Sequence, residues 1–328
     1  MTPEMKRDLI VTLANKDYVS QAKQLFSSVY YNAGWSGDYM LLAYDVSDAD
    51  LKWFRTRGVL VKECDRIPNR IKGLWGDIIV CKLYLFTPEF KQWARVVYVD
   101  ADTIVRAPLS DILNVAQLSA VRDGFLGNRL IDQFVHPREF APDVFGRFVD
   151  KFNVNVTSFN SGFFVFNTNI VTDGTFGDLM RLLEEYQDVF KPWNGDQPVL
   201  NLYFYSAWKE LPITYNLDFR DFNYVRRERL HPIVLHFIED NKPWNQDNPF
   251  YAEWKSNLDE ADDIDFTRQP VGWQKKYGTS HPLYFNFVFY LRYRNILKVL
   301  DRKIGMLGLF LYRKYPKLYN SLKFFRDA

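Results

Sequence analysis

Apolar positions along this chain alternate between two periods. DLIVTLA (8–14), DYMLLAYD (38–45), VLVKE (59–63) and ARVVYVD (94–100) read as short, largely apolar strands between polar or turn residues. The segments between them return to helical spacing. From Asp17 to Tyr31, the residues Val19, Ala22, Leu25, Phe26 and Val29 fall on one face, with Asp17 placed to cap. SDADLKWFRTRG (47–58) reads as a capped helix ending at Gly58, and GDIIVCKLYLF (76–86) as a helix stopped near Pro88. Strand, helix, strand, helix predicts an α/β fold with a parallel sheet and right-handed crossovers. Ligands of such sheets sit beyond the carboxyl ends of the strands, where Asp100 and Asp102 would lie.

The later pattern is less regular. FNSGFFVFN (159–167) alternates like a strand, GDQPVLNLYFYSAW (195–208) suits a helix with Asp196 near its start, and HPIVLHF (231–237) is a short strand. Residues 240–282 are polar, dotted with Trp and weakly periodic, and the chain after His281 turns aromatic and basic. This organisation predicts a catalytic body over 1–265 and a basic, aromatic C-terminal extension over 266–328.

Composition narrows the class. The 328 residues are 47% hydrophobic and 25% charged, an ordinary globular balance. Two cysteines, Cys64 and Cys81, make no disulfide framework and fit a reducing compartment. The apolar run Leu9 to Ala14 is too short for a signal peptide, and no segment reaches the roughly 20 apolar residues that span a bilayer. The expectation is a cytoplasmic protein, or a peripheral one on the cytosolic face of a membrane. From His281 onward, ten Lys or Arg stand against two Asp, a net +8; with +2 overall, the remainder carries −6. Basic charge confined to one segment argues against a nucleic-acid binder and for one basic surface. Nothing in the pattern specifies an oligomeric state.

The candidate chemistry lies where RVVYVDADTIV (95–105) ends a strand on two aspartates one residue apart. In extended chain they would face opposite ways, but past a strand end both can swing to one point. Such a pair suits Mg²⁺ or Mn²⁺, which take oxygen ligands and keep positions open for phosphates; two solvated aspartates in a turn would look the same. His236 closes another apolar strand. It is either structural or a third ligand, the latter favouring Mn²⁺. Lys242, six residues on, can reach a phosphate oxygen as a point charge.

VTLANKDY (11–18), KLYLF (82–86), YVDADTIV (98–105), FNSGFFVFN (159–167), GDQPVLN (195–201) and HFIEDNKPW (236–244) occur in this order. Together they resemble glycosyltransferase family 8, the family of glycogenin and of bacterial lipopolysaccharide galactosyl- and glucosyltransferases, over residues 8 to 246. The resemblance implies a GT-A fold, with a mixed, mostly parallel sheet flanked by helices and here a C-terminal helical extension. It also implies a UDP-sugar donor, Mn²⁺ with Mg²⁺ as the alternative, and transfer of a hexose to a glycan or glycolipid with retention of configuration. Carried onto this sequence, it implies Asp100, Asp102 and His236 as metal ligands. Leu13, Ala14, Asn15 and Tyr18 would form the uracil pocket, Tyr18 stacking on the base. Lys82 would face the donor sugar or its phosphate, Asp123 the donor hydroxyls, and Asn160 and Ser161 the sugar pocket. Asp196 and Gln197 would sit beneath the transferring carbon, and Lys242 would grip the diphosphate. Without the resemblance, Asp196 reads equally as a helix N-cap, Asn160 and Ser161 as a strand turn, and Tyr18 as a core aromatic.

Three features depart from the family pattern. Glu239 stands where a glycine often contacts phosphate, placing a carboxylate near the diphosphate. The first block is one residue shorter than in glycogenin, which blurs the placement of Asn15 and Lys16. Asn223, beside Tyr224, occupies the position of the tyrosine that glycogenin glucosylates on itself, so a self-glucosylating primer is the weaker alternative to transfer onto a separate acceptor. An inactive sugar-nucleotide-binding protein is a further alternative; loss of Asp102 or His236 would mark it, and both are present. The tail, with a nine-residue apolar run IGMLGLFLY among its cations, suits either an extra helical layer or an interfacial helix on an anionic membrane.

Overall fold

A computed structural model describes residues 6–71, 76–124, 127–135, 141–191, 194–218, 232–238, 240 and 242–269, with 307, 310, 311, 314 and 315. The expected extension therefore lies outside the described residues apart from 266–269 and those last five.

A seven-stranded mixed sheet forms the centre. In chain order the strands of the fold are β1 (Leu9–Ala14), β2 (Asp38–Ala43), β3 (Leu60–Glu63), β4 (Arg95–Val99), β5 (Thr103–Val105), β6 (Ser119–Arg122), β7 (Phe159–Asn167), β8 (Lys209–Glu210), β9 (Leu217–Asp218) and β10 (Val234–His236). The central order is β3-β2-β1-β4-β7-β6-β8, and β5-β10-β9 make a second, three-stranded sheet. Strands β3, β2, β1 and β4 are parallel, as the strand-helix alternation predicts, while β7 runs antiparallel to both β4 and β6. Among the described residues up to 269, the α-helices are α1 (Val19–Asn32), α2 (Asp48–Thr56), α3 (Gly76–Ile79), α4 (Pro142–Lys151), α5 (Thr175–Tyr186), α6 (Gln197–Tyr203) and α7 (Tyr251–Glu260). Two apolar clusters cover the two faces of the large sheet, one holding Val11, Val96, Phe164 and Phe166, the other Ile10, Val97, Phe163 and Val165. Consecutive strand residues therefore pack into opposite layers, which is why these runs are apolar without a break. Phe266 is buried against Phe26, Tyr30 and Tyr39 and tethers the chain after α7 to this body.

Three local predictions change. Asp17 does not cap α1: Asn15 caps a 3₁₀ turn over Lys16–Tyr18, its Oδ1 accepting from the Asp17 N–H at 3.1 Å. The helix expected over 76–86 is α-helical only to Ile79 and winds as 3₁₀ over Val80–Phe86. With three residues per turn, Ile79, Lys82 and Leu85 eclipse one another, so the polar Lys82 lies in an apolar row. The helix expected over 195–208 stops at Tyr203, because the chain takes a left-handed turn at Ser206 (φ 56°).

Candidate active site

The turn after β4 builds the centre of the site. Asp100 N–H donates to Gly162 O, and Thr103 Oγ1 donates to Asp100 O at 2.8 Å, so the chain reverses between the two aspartates. The next strand, β5, pairs antiparallel with β10, with Thr103 opposite His236, and Phe237 N–H closes onto Asp102 O at 3.0 Å. The second sheet thus delivers the last residue of β10 to the turn. One ligand atom from each of Asp100, Asp102 and His236 lies within 4.8 Å of the others. His236 Nε2 is 3.2 Å from Asp102 Oδ1 and 3.9 Å from Asp100 Oδ2. The aspartates remain partly open to solvent, whereas the histidine is buried.

Lys82 joins this cluster to a second carboxylate. Its ammonium is 3.2 Å from Asp100 Oδ1 and 3.2 Å from Asp196 Oδ2, donates to Ser161 O at 3.1 Å and sits over the Tyr98 ring. Tyr98 in turn donates its hydroxyl to Asp100 Oδ1 at 2.6 Å. Burial works against the Lys82 charge, but Asp100 and Asp196 outweigh it and raise its pKa above the ordinary value. Asp196 is 0% exposed, and neither oxygen accepts a well-aligned hydrogen bond among the described residues. It occupies the N-cap position of α6 but makes no cap bond, which separates it from the ordinary capping role. Gly195, at φ 49°, supplies the left-handed turn that aims the carboxyl inward. Burial pushes Asp196 up to about 6; Lys82 and the nearby Ser161 hydroxyl oppose the rise and Asp100 adds to it.

The start of β7 is tied to α6 by side chains. Gln197 Oε1 accepts from Ser161 N at 3.0 Å, and the Asn201 amide bonds both the N–H and the carbonyl of Phe159. Asn160 Oδ1 accepts from Gly162 N and from Asn216 Nδ2, each at 2.8 Å. Gly162 has no space for a side chain: a Cβ there would come 2.3 Å from His236 Cε1 and 2.8 Å from Asp100 Oδ2.

Lys242 lies on the open side, donating at 2.6 Å both to Asp102 Oδ2 and to Phe237 O. Burial favours a neutral Asp102, yet Lys242 and His236 overcome it and hold the carboxyl well below its usual range. Burial also works against charge on His236, but Asp102 and Asp100 raise its pKa above the ordinary value. Tyr18 stands edge-on to Trp244 at 5.6 Å, and its pKa is raised by burial and by Asp102 and Asp100, which places it beside the aspartates.

The fold thus gathers Asp100, Asp102, His236, Lys82, Asp196, Gln197, Asn160, Ser161, Lys242 and Tyr18. Leu13 and Ala14 end β1 next to β4, and Asn15 follows them; the pairing of Val11 with Tyr98, continued by two residues, brings Leu13 level with Asp100. Asp123 follows β6 beside the start of β7, where its N–H donates to Ser158 O and its carboxylate accepts from Asn128 at 3.2 Å. Glu239, Asn223 and Tyr224 lie outside the described residues. The site also draws on residues to which the sequence pattern does not point, among them Tyr98, Trp244, Gly162, Asn201 and Asn216. Asn216, isolated between Tyr215 and Leu217 just before a two-residue strand, carries only the weak signal of one amide among apolar neighbours.

The donor set fits a divalent cation. Two carboxylates and one imidazole converge, and Asn216 Oδ1 engages the far ring nitrogen, Nδ1, of His236 at 2.8 Å. Three carboxylates face two ammonium groups here, so with a neutral His236 a divalent ion would turn a net −1 into +1, a charge suited to an anionic ligand.

A mixed, mostly parallel sheet flanked by helices is the GT-A glycosyltransferase architecture, and solved glycosyltransferases share that fold. The bifunctional glycosyltransferase WbbM aligns with TM-score 0.57 and 21% identity over 79% of this chain and 50% of that one. The galactosyltransferase LgtC, solved with donor and acceptor sugar analogs, aligns with TM-score 0.55 and 17% identity over 82% of this chain and 100% of that one. The family description "Glycosyl transferase family 8" matches residues 9–248, and the chain belongs to that family. Human glycogenin-1 is 30% identical over 186 residues, 54% of this chain and 42% of its own length. The probable glycosyl transferase Gly of Streptococcus gordonii is 28% identical over 168 residues, 50% of this chain. The chain spans 21%, 33% and 42% of the first three curated relatives it matches. No helix among the described residues is long and apolar enough to cross a membrane.

Proposed function

We propose that this chain transfers a hexose, glucose or galactose, from a UDP-sugar to a glycan or glycolipid acceptor, with retention and with Mn²⁺ as the bound ion. The observation that carries the reading is the convergence of Asp100, Asp102 and His236 beside the buried Lys82–Asp196 pair. Those three residues would hold the metal, which supplies positive charge against the departing diphosphate. Lys242 supplies a second positive charge for the phosphates.

Asp196 is anionic above about pH 6 and stabilises positive charge developing on the sugar carbon. Lys82 holds it in place while sharing its charge with Asp100. Gln197 fixes the Ser161 backbone, so α6 and β7 form one wall of the sugar pocket. Asn160 and Asp123 bind donor hydroxyls, and Leu13, Ala14, Asn15 and Tyr18 receive the base. The donor and acceptor analogs bound by LgtC support two sugar-binding partners for this architecture. The 1–265 body performs the chemistry, and the basic 266–328 extension attaches it to an anionic surface on the cytosolic side of a membrane.

The test is UDP release from a panel of UDP-sugars, with Mn²⁺ or with EDTA, for the parent and Asp102→Ala. One donor should be hydrolysed slowly by the parent, and that turnover should vanish with EDTA and in the variant. Turnover that survives both would overturn the metal reading; no turnover with any donor or acceptor would overturn the enzyme.

A further inference from the structure

We propose that Asn216 is a positioning residue which fixes the metal-facing state of His236 and the orientation of Asn160 together. The constraint starts at one backbone group. Gly162 N–H can only donate, and it donates to the side chain of Asn160 at 2.8 Å, so the atom facing it must be the carbonyl oxygen Oδ1. That same oxygen also lies 2.8 Å from Asn216, so Asn216 must present its NH₂ group there. The other end of the Asn216 amide is then its oxygen, which lies 2.8 Å from His236 Nδ1. An oxygen can only accept, so Nδ1 carries a proton, and in the neutral ring Nε2 offers its lone pair toward Asp102 and Asp100.

One N–H thus sets the tautomer of a histidine three residues along the chain of bonds, with no freedom to flip any member alone. Asn216 is buried (7% exposed), so water does not readily replace it. The same chain leaves Nδ2 of Asn160, without a protein partner among the described residues, as the group offered to a ligand. Asn216 therefore links the metal side of the site to the sugar side while touching neither ligand. This inference rests on the metal reading above, and its test separates the two.

The test compares Asn216→Ala and Asn216→Asp with the parent and Asp102→Ala. Mn²⁺ binding is read from loss of the free-ion electron paramagnetic resonance signal without nucleotide, and folding from the melting temperature in EDTA. Removing the partner behind a ligating histidine costs about 10- to 100-fold in metal affinity, and N216A should lose that much. N216D keeps an acceptor for Nδ1–H but turns an acceptor toward Asn160 Oδ1. It should hold Mn²⁺ within about threefold of the parent, a span well inside that penalty, while binding the UDP-sugar more weakly. Mn²⁺ affinity of N216A equal to the parent, or N216D as defective as a folded N216A, overturns the proposal. If N216A does not fold, loss of Mn²⁺ binding in N216D overturns it. If Asp102→Ala binds Mn²⁺ as the parent does, or the parent does not bind it, the metal reading itself fails and Asn216 with it.

Discussion

Lys242 Nζ lies 2.6 Å from Asp102 Oδ2, the carboxylate that also faces His236 Nε2, so this lysine and the proposed metal address the same group. Without a diphosphate, the lysine neutralises Asp102 and opposes a second cation; with one, phosphate oxygens draw the ammonium away. Lys242→Met should therefore bind Mn²⁺ alone more tightly than the parent, by at least about tenfold. A unit charge a few Å away exceeds 1 kcal/mol at an effective dielectric near 20. The same variant should bind UDP more weakly in saturating Mn²⁺. Titration calorimetry measures both, and unchanged Mn²⁺ affinity would show that the lysine does not compete.

Lys82 is a buried cation held by two carboxylates, so removing it should cost far more than removing a surface charge. Lys82→Met leaves Asp196 with no positive neighbour at ion-pair distance among the described residues. Breaking such a pair from one side costs about 3–5 kcal/mol. Urea unfolding should show this loss at pH 8 and a smaller one at pH 5, where Asp196 takes up a proton. The double variant Lys82→Met/Asp196→Asn should recover much of the stability. A double variant as unstable as the single would indicate that packing, not charge, sets the cost.

The fold was legible where one physical rule dominates. Strands β1, β2 and β4 are buried on both faces, so Leu9–Ala14 and Arg95–Val99 announce themselves as unbroken apolar runs, whereas β3, at the sheet edge, is exposed or half-buried along its length. Residues Asp100, Asp102 and His236 were legible for the opposite reason, as polar residues ending apolar strands. What the sequence hid are relations set by tertiary contact. The 3₁₀ winding over Val80–Phe86 has no distinct pattern in a segment apolar on every side. The bond from Asn216 to His236 spans 20 residues and needs the parallel pairing of β9 with β10. The pairing of Lys82 with Asp196 likewise depends on α6 docking against β7. Asn15 displaced Asp17 as the cap because the chain forms a 3₁₀ turn before α1 begins.

Asp196 also predicts a pH dependence of stability. Its folded pKa is about 6, against an ordinary value of 3.8. The folded state therefore holds this proton where the unfolded chain has released it. Stability from this group is highest below about pH 4, falls as pH rises through 4 to 6, and stays lower above. At 1.36 kcal/mol per unit, the full loss is about 3 kcal/mol. Asp196→Asn lacks this titration. In EDTA, its unfolding free energy should gain on the parent by up to that amount between pH 4 and 7. A constant difference across this range would place the Asp196 pKa near the ordinary carboxylate value. Transfer activity, which needs the anion, should rise over the same window in the parent and be lost in the variant.

Gly162 gives the sharpest test of how the metal set is held. Its position in β7, next to Phe163 paired with Val99, puts its Cα against the turn that carries Asp100. A Cβ would meet His236 Cε1 at 2.3 Å, Asp100 Oδ2 at 2.8 Å and Asn160 Oδ1 at 2.9 Å. None of the three is the loose end of a flexible chain: His236 and Asn160 are both tied to Asn216, and Asp100 is tied to Tyr98 and Lys82. Gly162→Ala must therefore push the imidazole and the carboxylate apart or shift β7. Overpacking of this kind costs about 1–3 kcal/mol, which a sheet of seven strands should survive. The expected outcome is a folded protein in EDTA whose Mn²⁺ affinity falls at least as far as that of Asn216→Ala. Parent-like Mn²⁺ binding by Gly162→Ala would mean that the imidazole does not lie against this glycine when the ion is held.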